Sequence, residues 1–84
     1  MNEDKPIYIN MGCGDSYRPN WVNVDFVNRG QKVDVWHDLN ETPLPWDDNS
    51  VTFIAAEHVI EHVKNIIPLF KELHRIMQRL LQID

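Results

Sequence analysis

Residues 57–62, Glu57-His58-Val59-Ile60-Glu61-His62, hold two histidines and two carboxylates within six positions. His58, Glu61 and His62 match the H-x-x-E-H spacing of a zinc site, in which histidines four apart share one helix face. Such a site also needs a third protein ligand and a water held against a base. Beyond His62 the chain offers only Glu72, His74 and Asp84, all on or after an amphipathic segment, so no residue is assigned to a metal. The structural alternative has Val59, Ile60 and Val63 packing the segment while His58 and His62 face outward. In a pocket, Glu57 and His58 are candidate bases for a hydroxyl or amine acceptor.

A second group of residues is spread along the chain. Gly12 and Gly14 flank Cys13. Without Cβ atoms they let the backbone turn sharply, and a ligand carboxylate can lie against exposed N–H groups. Serving a turn alone is the other reading of a lone G-x-G. Asp25 and Asp38 each end an apolar alternating segment. Singly, acids in such places are solvated strand ends. In a nucleotide-binding sheet, a carboxylate at the position of Asp25 accepts from both ribose hydroxyls, and Asp38 could accept from an exocyclic amine. Cys13 has no neighbour in sequence that would activate its thiol, so it reads as a small loop residue.

Four strands and one helix would have to carry these groups. Residues 7–11 alternate Ile7, Ile9 and Met11 with polar positions and stop at the glycine turn. Residues 21–26 and 32–39 alternate again, ending near Asp25 and Asp38, the third segment being short. Residues 41–50 hold two prolines and Asp-Asp-Asn-Ser, a loop closing in a turn. Residues 50–56 are β-branched and apolar, as in a buried central strand. From Asn65, a candidate N-cap, apolar residues recur three and four apart, from Ile66 through Leu69, Phe70, Leu73, Ile76 and Met77 to Leu81, with Pro68 in the first turn. That pattern predicts a core-packing helix over 65–82. Together the elements predict an α/β fold, a Rossmann-like open and mainly parallel sheet that binds its ligand at the strands' carboxyl ends.

Bulk properties exclude several classes. The 84 residues make one thin-cored domain at most. A net charge of -5 argues against a general nucleic-acid surface. Residues 1–63 hold four Lys/Arg against eleven Asp/Glu, whereas residues 64–84 hold four against two, so the candidate site lies in the acidic part. A lone cysteine closes no intramolecular disulfide, and no apolar run reaches the roughly 18 residues of a membrane span. A cytoplasmic location and no membrane partner are the expectation. Of the three tryptophans, Trp46 after the double proline is read as buried or as capping a base or partner surface.

The succession YINMGCG, WVNVDF, HDLNETPLPWDDNSVTFI and EHVIEHV resembles the N-terminal half of class I S-adenosylmethionine-dependent methyltransferases, especially the short type 11-like group. The resemblance covers residues 7 to about 77. It implies an S-adenosylmethionine cofactor held by the glycine loop Asn10, Gly12, Cys13, Gly14 and Asp15, with Asp25 on the ribose and Asp38 with Leu39 at the adenine. It also implies that Glu57 and its neighbours line the pocket beside the methyl group, with methyl transfer to an unknown acceptor as the activity. An acidic pocket would attract the sulfonium and ammonium of such a cofactor. Thr52 stands where the family often has an acid.

Two features depart from that family. The connections between the first three strands are shorter than the dozen residues that parallel crossovers usually take, so intervening helices are expected to be absent and the third strand's direction stays open. The usual C-terminal half, with a further strand and hairpin, is also not expected within these 84 residues. The fourth strand would then have an unpaired edge, and a homo-oligomer through that edge or the C-terminal helix would cover it. A non-catalytic cofactor-binding or assembly module with the same half-sheet is the alternative function.

Overall fold

The computed structural model describes residues 5–57 and 59–77. Four strands form one sheet, β1 (Tyr8–Met11), β2 (Val22–Asp25), β3 (Val35–Trp36) and β4 (Phe53–Ala55), in the order β3-β2-β1-β4. Every pairing is parallel, which settles the direction of the third strand. Among the described residues a single 3-10 turn (Ile60–His62) and one helix, α1 (Ile66–Ile76), complete the elements. The described residues therefore form a Rossmann-like α/β unit. No helix among the described residues is long and apolar enough to cross a membrane.

Short strands explain how parallel neighbours can be joined without helices. A return path along a four-residue strand covers about 13 Å at the ordinary rise per residue. Residues 12–21, between β1 and β2, reach that distance easily even when partly coiled, since extended chain spans about 3.3 Å per residue. Asn20 closes this connection at a φ of 70°, in the left-handed region that asparagine tolerates better than most residues.

The register puts Ile9, Met11, Val22, Val24, Val35 and Ile54 on one face. There Ile9, Met11 and Val24 join Leu39, Leu44, Val51, Val59, Leu69 and Ile76 in a single buried cluster. From α1, Ile66, Leu69, Leu73 and Ile76 turn toward it, whereas Phe70 lies near the edge of the stripe, 48% exposed. Fully burying side chains of this size is worth roughly 1.5–3 kcal/mol each. Arg75 and Glu72 fasten the 41–50 loop to the helix. Glu72 accepts from the Leu44 N–H (2.7 Å), and Arg75 donates to Glu72, Asp48 and the Leu44 carbonyl.

The opposite face carries no helix among the described residues. Buried Asn10 and Asn23, register partners on β1 and β2, stand there instead. Asn10 donates to the Asn23 side-chain oxygen (2.9 Å) and to the Ser16 carbonyl (2.7 Å). Asn23 also donates to the carbonyls of Arg18 and Trp21 and accepts from the Arg18 N–H. Side-chain amides thus tie down a loop where helical packing would otherwise do so. Beside them Tyr8, Trp21 and Phe53 form an aromatic group with centroids 5.2–6.2 Å apart, and Arg18 lies over the Trp21 ring.

Two expectations are corrected. First, β4 is not buried as its composition suggested, since Phe53 is exposed; the unpaired edge expected of this strand is present, β1 being its only full partner among the described residues. Second, α1 ends at Ile76 rather than running to 82. Met77 is extended and bridges Val51 in parallel, with the Val51 N–H donating to the Ile76 carbonyl (2.8 Å). This pairing satisfies a backbone group just ahead of β4, which the helical pattern through Met77 did not anticipate; residues 78–82 of that predicted helix lie outside the described residues. Of the two readings of Trp46, burial is the one met: it packs, partly buried, against the core and lines neither cavity described below. Asn65 does occupy the N-cap position of α1, but its side chain makes no cap and donates instead to the Asn40 carbonyl.

Candidate functional site

Because β1, β2 and β3 run in parallel, their carboxyl ends emerge side by side. Adjacent strands lie about 4.8 Å apart, so residues just past three tips fall within the reach of one small molecule. A cavity of about 430 Å³ opens there. The β1 loop contributes Gly12 and Gly14, the β2 loop Asp25, Phe26, Val27 and Arg29, and the β3 loop Asp38, Leu39 and Asn40. Val59, His62 and Val63, following β4, form the remaining wall. A second cavity of about 380 Å³ shares Gly12, Gly14 and Arg29 with the first and adds Asn10, Met11, Cys13, Asp15, Ser16 and Glu57.

The glycines differ in what they permit. Gly12 has a φ of 67°, and a Cβ there would collide with the Val59 side chain. Its lack of a side chain lets the segment after β4 close against the tip of β1. Gly14, at a φ of 53°, donates its N–H to Asp25 Oδ2 (2.9 Å). Cys13 N–H donates to the Val24 carbonyl and Ser16 N–H to the Cys13 carbonyl. Three amides of the glycine loop are therefore spent within the chain. Cys13 is 4% exposed, and burial, with the Asp25 charge adding to it, pushes its thiol pKa up, away from nucleophilic use.

Asp25 is a junction between two loops. Besides Gly14, its carboxylate accepts from the backbone N–H groups of Phe26 (2.7 Å) and Val27 (3.4 Å) and from the Gln31 side chain (3.4 Å). Arg29 pairs with it at 3.6 Å. Burial alone would raise its pKa. The N–H donors of Phe26, Gly14 and Val27 and the Arg29 charge outweigh that effect and hold the carboxyl below its usual range. Asp38 Oδ1 accepts from both amides of Asn40. Asn40 in turn accepts from the Lys64 and Asn65 N–H groups, joining the β3 loop to the start of α1.

The structure thus gathers Gly12, Gly14, Asp25, Asp38 and Leu39 around the first cavity, and Asn10, Cys13, Asp15 and Glu57 around the second. Glu57 is largely exposed and lies 3.9 Å from Arg18. His58 falls outside the described residues. His62 faces the first cavity from a 3-10 turn, with its side chain 76% exposed. Among the described residues no three His, Cys, Asp or Glu side chains converge as metal ligands. Arg29, Phe26, Val27 and Asn40 were not singled out from sequence as site residues, and Val59 and Val63 only as packing ones. Their common signal is position, since each lies within a few residues past a strand end or in the segment following β4.

A parallel sheet with glycine and carboxylate groups at adjoining strand tips is an open α/β arrangement of the kind that takes ligands at its strands' carboxyl ends. A family model described as methyltransferase domain matches residues 15–79, and the chain belongs to that family. The matched stretch starts just after the glycine turn. Comparison with curated proteins and with solved structures returns no match. Membership implies, in general, a cofactor of the S-adenosylmethionine type. The first cavity fits such a group chemically, with carboxylates for hydroxyl and amine donors beside the apolar surfaces of Phe26, Val27, Leu39 and Val63.

Proposed function

We propose that the chain binds S-adenosylmethionine across the tips of β1, β2 and β3 and serves methyl transfer to a small-molecule acceptor. One observation carries this reading: Gly12, Asp25 and Asp38, from three separate strand ends, line a single cavity. Asp25 is the ribose acceptor. Its two side-chain contacts, from Gln31 at 3.4 Å and Arg29 at 3.6 Å, are those that hydroxyl donors would replace, while the backbone N–H groups of Gly14 and Phe26 keep the carboxylate in place. Asp38 and Leu39 flank the base, and Asn10 holds the glycine loop from beneath. Asp15 and Glu57 bring negative charge to the second cavity, where the ammonium would lie.

When bound, S-adenosylmethionine supplies a methyl group already activated for transfer. The protein's share is to orient the acceptor and to exclude water, an effect worth up to about 7–11 kcal/mol in favourable cases. Glu57, exposed beside the second cavity, is the described group placed to take a proton from a hydroxyl or amine acceptor, with His58 next to it in sequence.

Calorimetric titration with S-adenosylmethionine tests the reading. Saturable binding is expected, and Asp38→Ala and Asp25→Ala should each weaken it by about tenfold or more, as loss of a hydrogen bond to a charged group does. Thermal melts of both variants separate lost contacts from lost structure, because Asp25 also secures two loops. An absence of binding at millimolar ligand to folded wild-type protein would refute the proposal. A labelled-methyl assay over hydroxyl, amine and thiol acceptors then tests turnover.

A further inference from the structure

We infer that Arg29 is the specificity residue for the anionic tail of the ligand, so that the site selects a nucleoside carrying a free carboxylate. This inference rests on the cofactor reading above and extends it to a residue outside the family's glycine and acid positions. Three observations support it. Three amides of the glycine loop are already committed, Cys13 to Val24, Gly14 to Asp25 and Ser16 to Cys13, which leaves few of them for an anion. A carboxylate at this loop therefore gains most from a charged side-chain donor.

Arg29 is the only lysine or arginine among the described residues lining either cavity, and it lines both. Its guanidinium stands where the two cavities meet, with Nη2 3.5 Å from the position a Cβ would take on Gly14.

The third observation is how loosely Arg29 is held. Its contact with Asp25 is an ion pair at 3.6 Å, longer than a hydrogen bond, and its side chain is 49% exposed. Its backbone, by contrast, is fixed. Arg29 N–H donates to the Gln31 side chain (2.7 Å), and Gln31 donates back to the Val27 carbonyl (2.8 Å). A fixed backbone with a weakly committed guanidinium lets the side chain exchange one carboxylate for another. In the free protein Arg29 offsets the Asp25 charge. With ligand present, the ribose hydroxyls satisfy Asp25 and the guanidinium turns to the ligand carboxylate. Asp15 and Glu57 across the second cavity suit the ammonium of the same zwitterionic tail.

Titrating wild type, Arg29→Gln and Arg29→Lys with S-adenosylhomocysteine and with methylthioadenosine isolates this role. Both ligands are uncharged at sulfur, and only the first carries the amino-acid tail. Arg29→Gln should weaken S-adenosylhomocysteine by about tenfold to a hundredfold, the scale of a charge-assisted hydrogen bond, and leave methylthioadenosine unchanged. Arg29→Lys should fall between, having the charge without the planar fork. Thermal melts confirm that the variants remain folded. Equal weakening of both ligands, tightening of both, or wild-type affinity that ignores the tail would overturn the inference while leaving the cofactor reading intact. Failure of wild type to bind either ligand or S-adenosylmethionine would remove the cofactor reading, and this inference with it.

Discussion

Replacing Gly12 with alanine tests how the cavity wall is built. Two costs are expected. The residue holds a φ of 67°, and the left-handed region costs a side-chain-bearing residue about 1–2 kcal/mol. The new Cβ also meets the Val59 side chain, which is 5% exposed with little room to retreat, and overpacking of this kind costs about 1–3 kcal/mol. Gly12→Ala should thus lose about 2–5 kcal/mol in all. Val59→Ala alone removes two buried methyl groups, a loss of about 1.5–3 kcal/mol once the cavity left behind is included.

In the double variant the collision disappears. The Val59 Cβ lies 3.7 Å from the alanine Cβ position, an ordinary contact distance. The two losses should then fall short of additivity by about 1–3 kcal/mol, with only the backbone cost of position 12 surviving. Urea denaturation of the four proteins measures this. At a slope of about 1–3 kcal/mol per molar, the shortfall corresponds to a midpoint difference on the order of one molar. Additivity within about 0.5 kcal/mol would mean that Val59 does not sit against the tip of β1. The wall of the first cavity would then have been drawn wrongly, and the grouping of strand tips with the segment after β4 would lose its support.

Two further outcomes concern the polar framework. Asn23→Ala leaves the Arg18 N–H and the carbonyls of Arg18 and Trp21 without the buried side chain, and removes one partner from Asn10. At about 1–3 kcal/mol per orphaned group, partly offset by water, the loss should be roughly 2–4 kcal/mol, or on the order of 10–25 °C in a melt; a shift of only a degree or two would show that the loop is held otherwise. On acidification, the protein should lose stability through its low-pKa carboxylates. Asp34 is held below its ordinary 3.8 by donors from Asn23 and Tyr17, Glu72 below 4.5 by Arg75 and the Leu44 N–H, and Asp25 below 3.8 by the donors outweighing burial. Each folded pKa lies below its unfolded value, so this stability is fully present above the ordinary values and declines as pH falls through the folded ones. Melts from pH about 6 downward should show that decline, and the gap between wild type and Asp34→Asn should narrow toward the acid end; a constant gap would contradict the assignment.

The strands and the glycine turn were legible in sequence because alternation and chain-breaking residues are local signals. Gly12, Asp25, Asp38 and Leu39 could be grouped because a parallel sheet brings successive strand ends to one edge. Arg29 could not be picked out in the same way. It lies in a turn set by Asp25 and Gln31, and only the folded loop directs its side chain toward the glycines. The end of α1 was also hidden, since Met77 continues the apolar spacing while its backbone leaves the helix to pair with Val51. Helical periodicity reports which residues favour the core, and Met77 does pack against it. It does not report which backbone geometry brings them there.

The short crossovers explain why a candidate site can persist without the helices that usually surround one. Position at the strand tips is fixed by register, Met11 beside Val24 and Asp25 beside Trp36, rather than by what covers the far face of the sheet. The two functions of a crossover helix are therefore separable. Asn10 and Asn23 do the work of anchoring the connection, through hydrogen bonds that a buried amide must make in any case. Apolar cover is not replaced to the same extent, and Tyr8 and Phe53 remain substantially exposed beside Trp21. Because Asp25 accepts from Gly14 while Asn23, two residues earlier on β2 and on the same face, accepts from Arg18 and Asn10, one strand secures the loop at two points. Ligand contact at Asp25 would consequently be felt by the glycine loop through the hydrogen bond from the Gly14 N–H, a residue that lines both cavities.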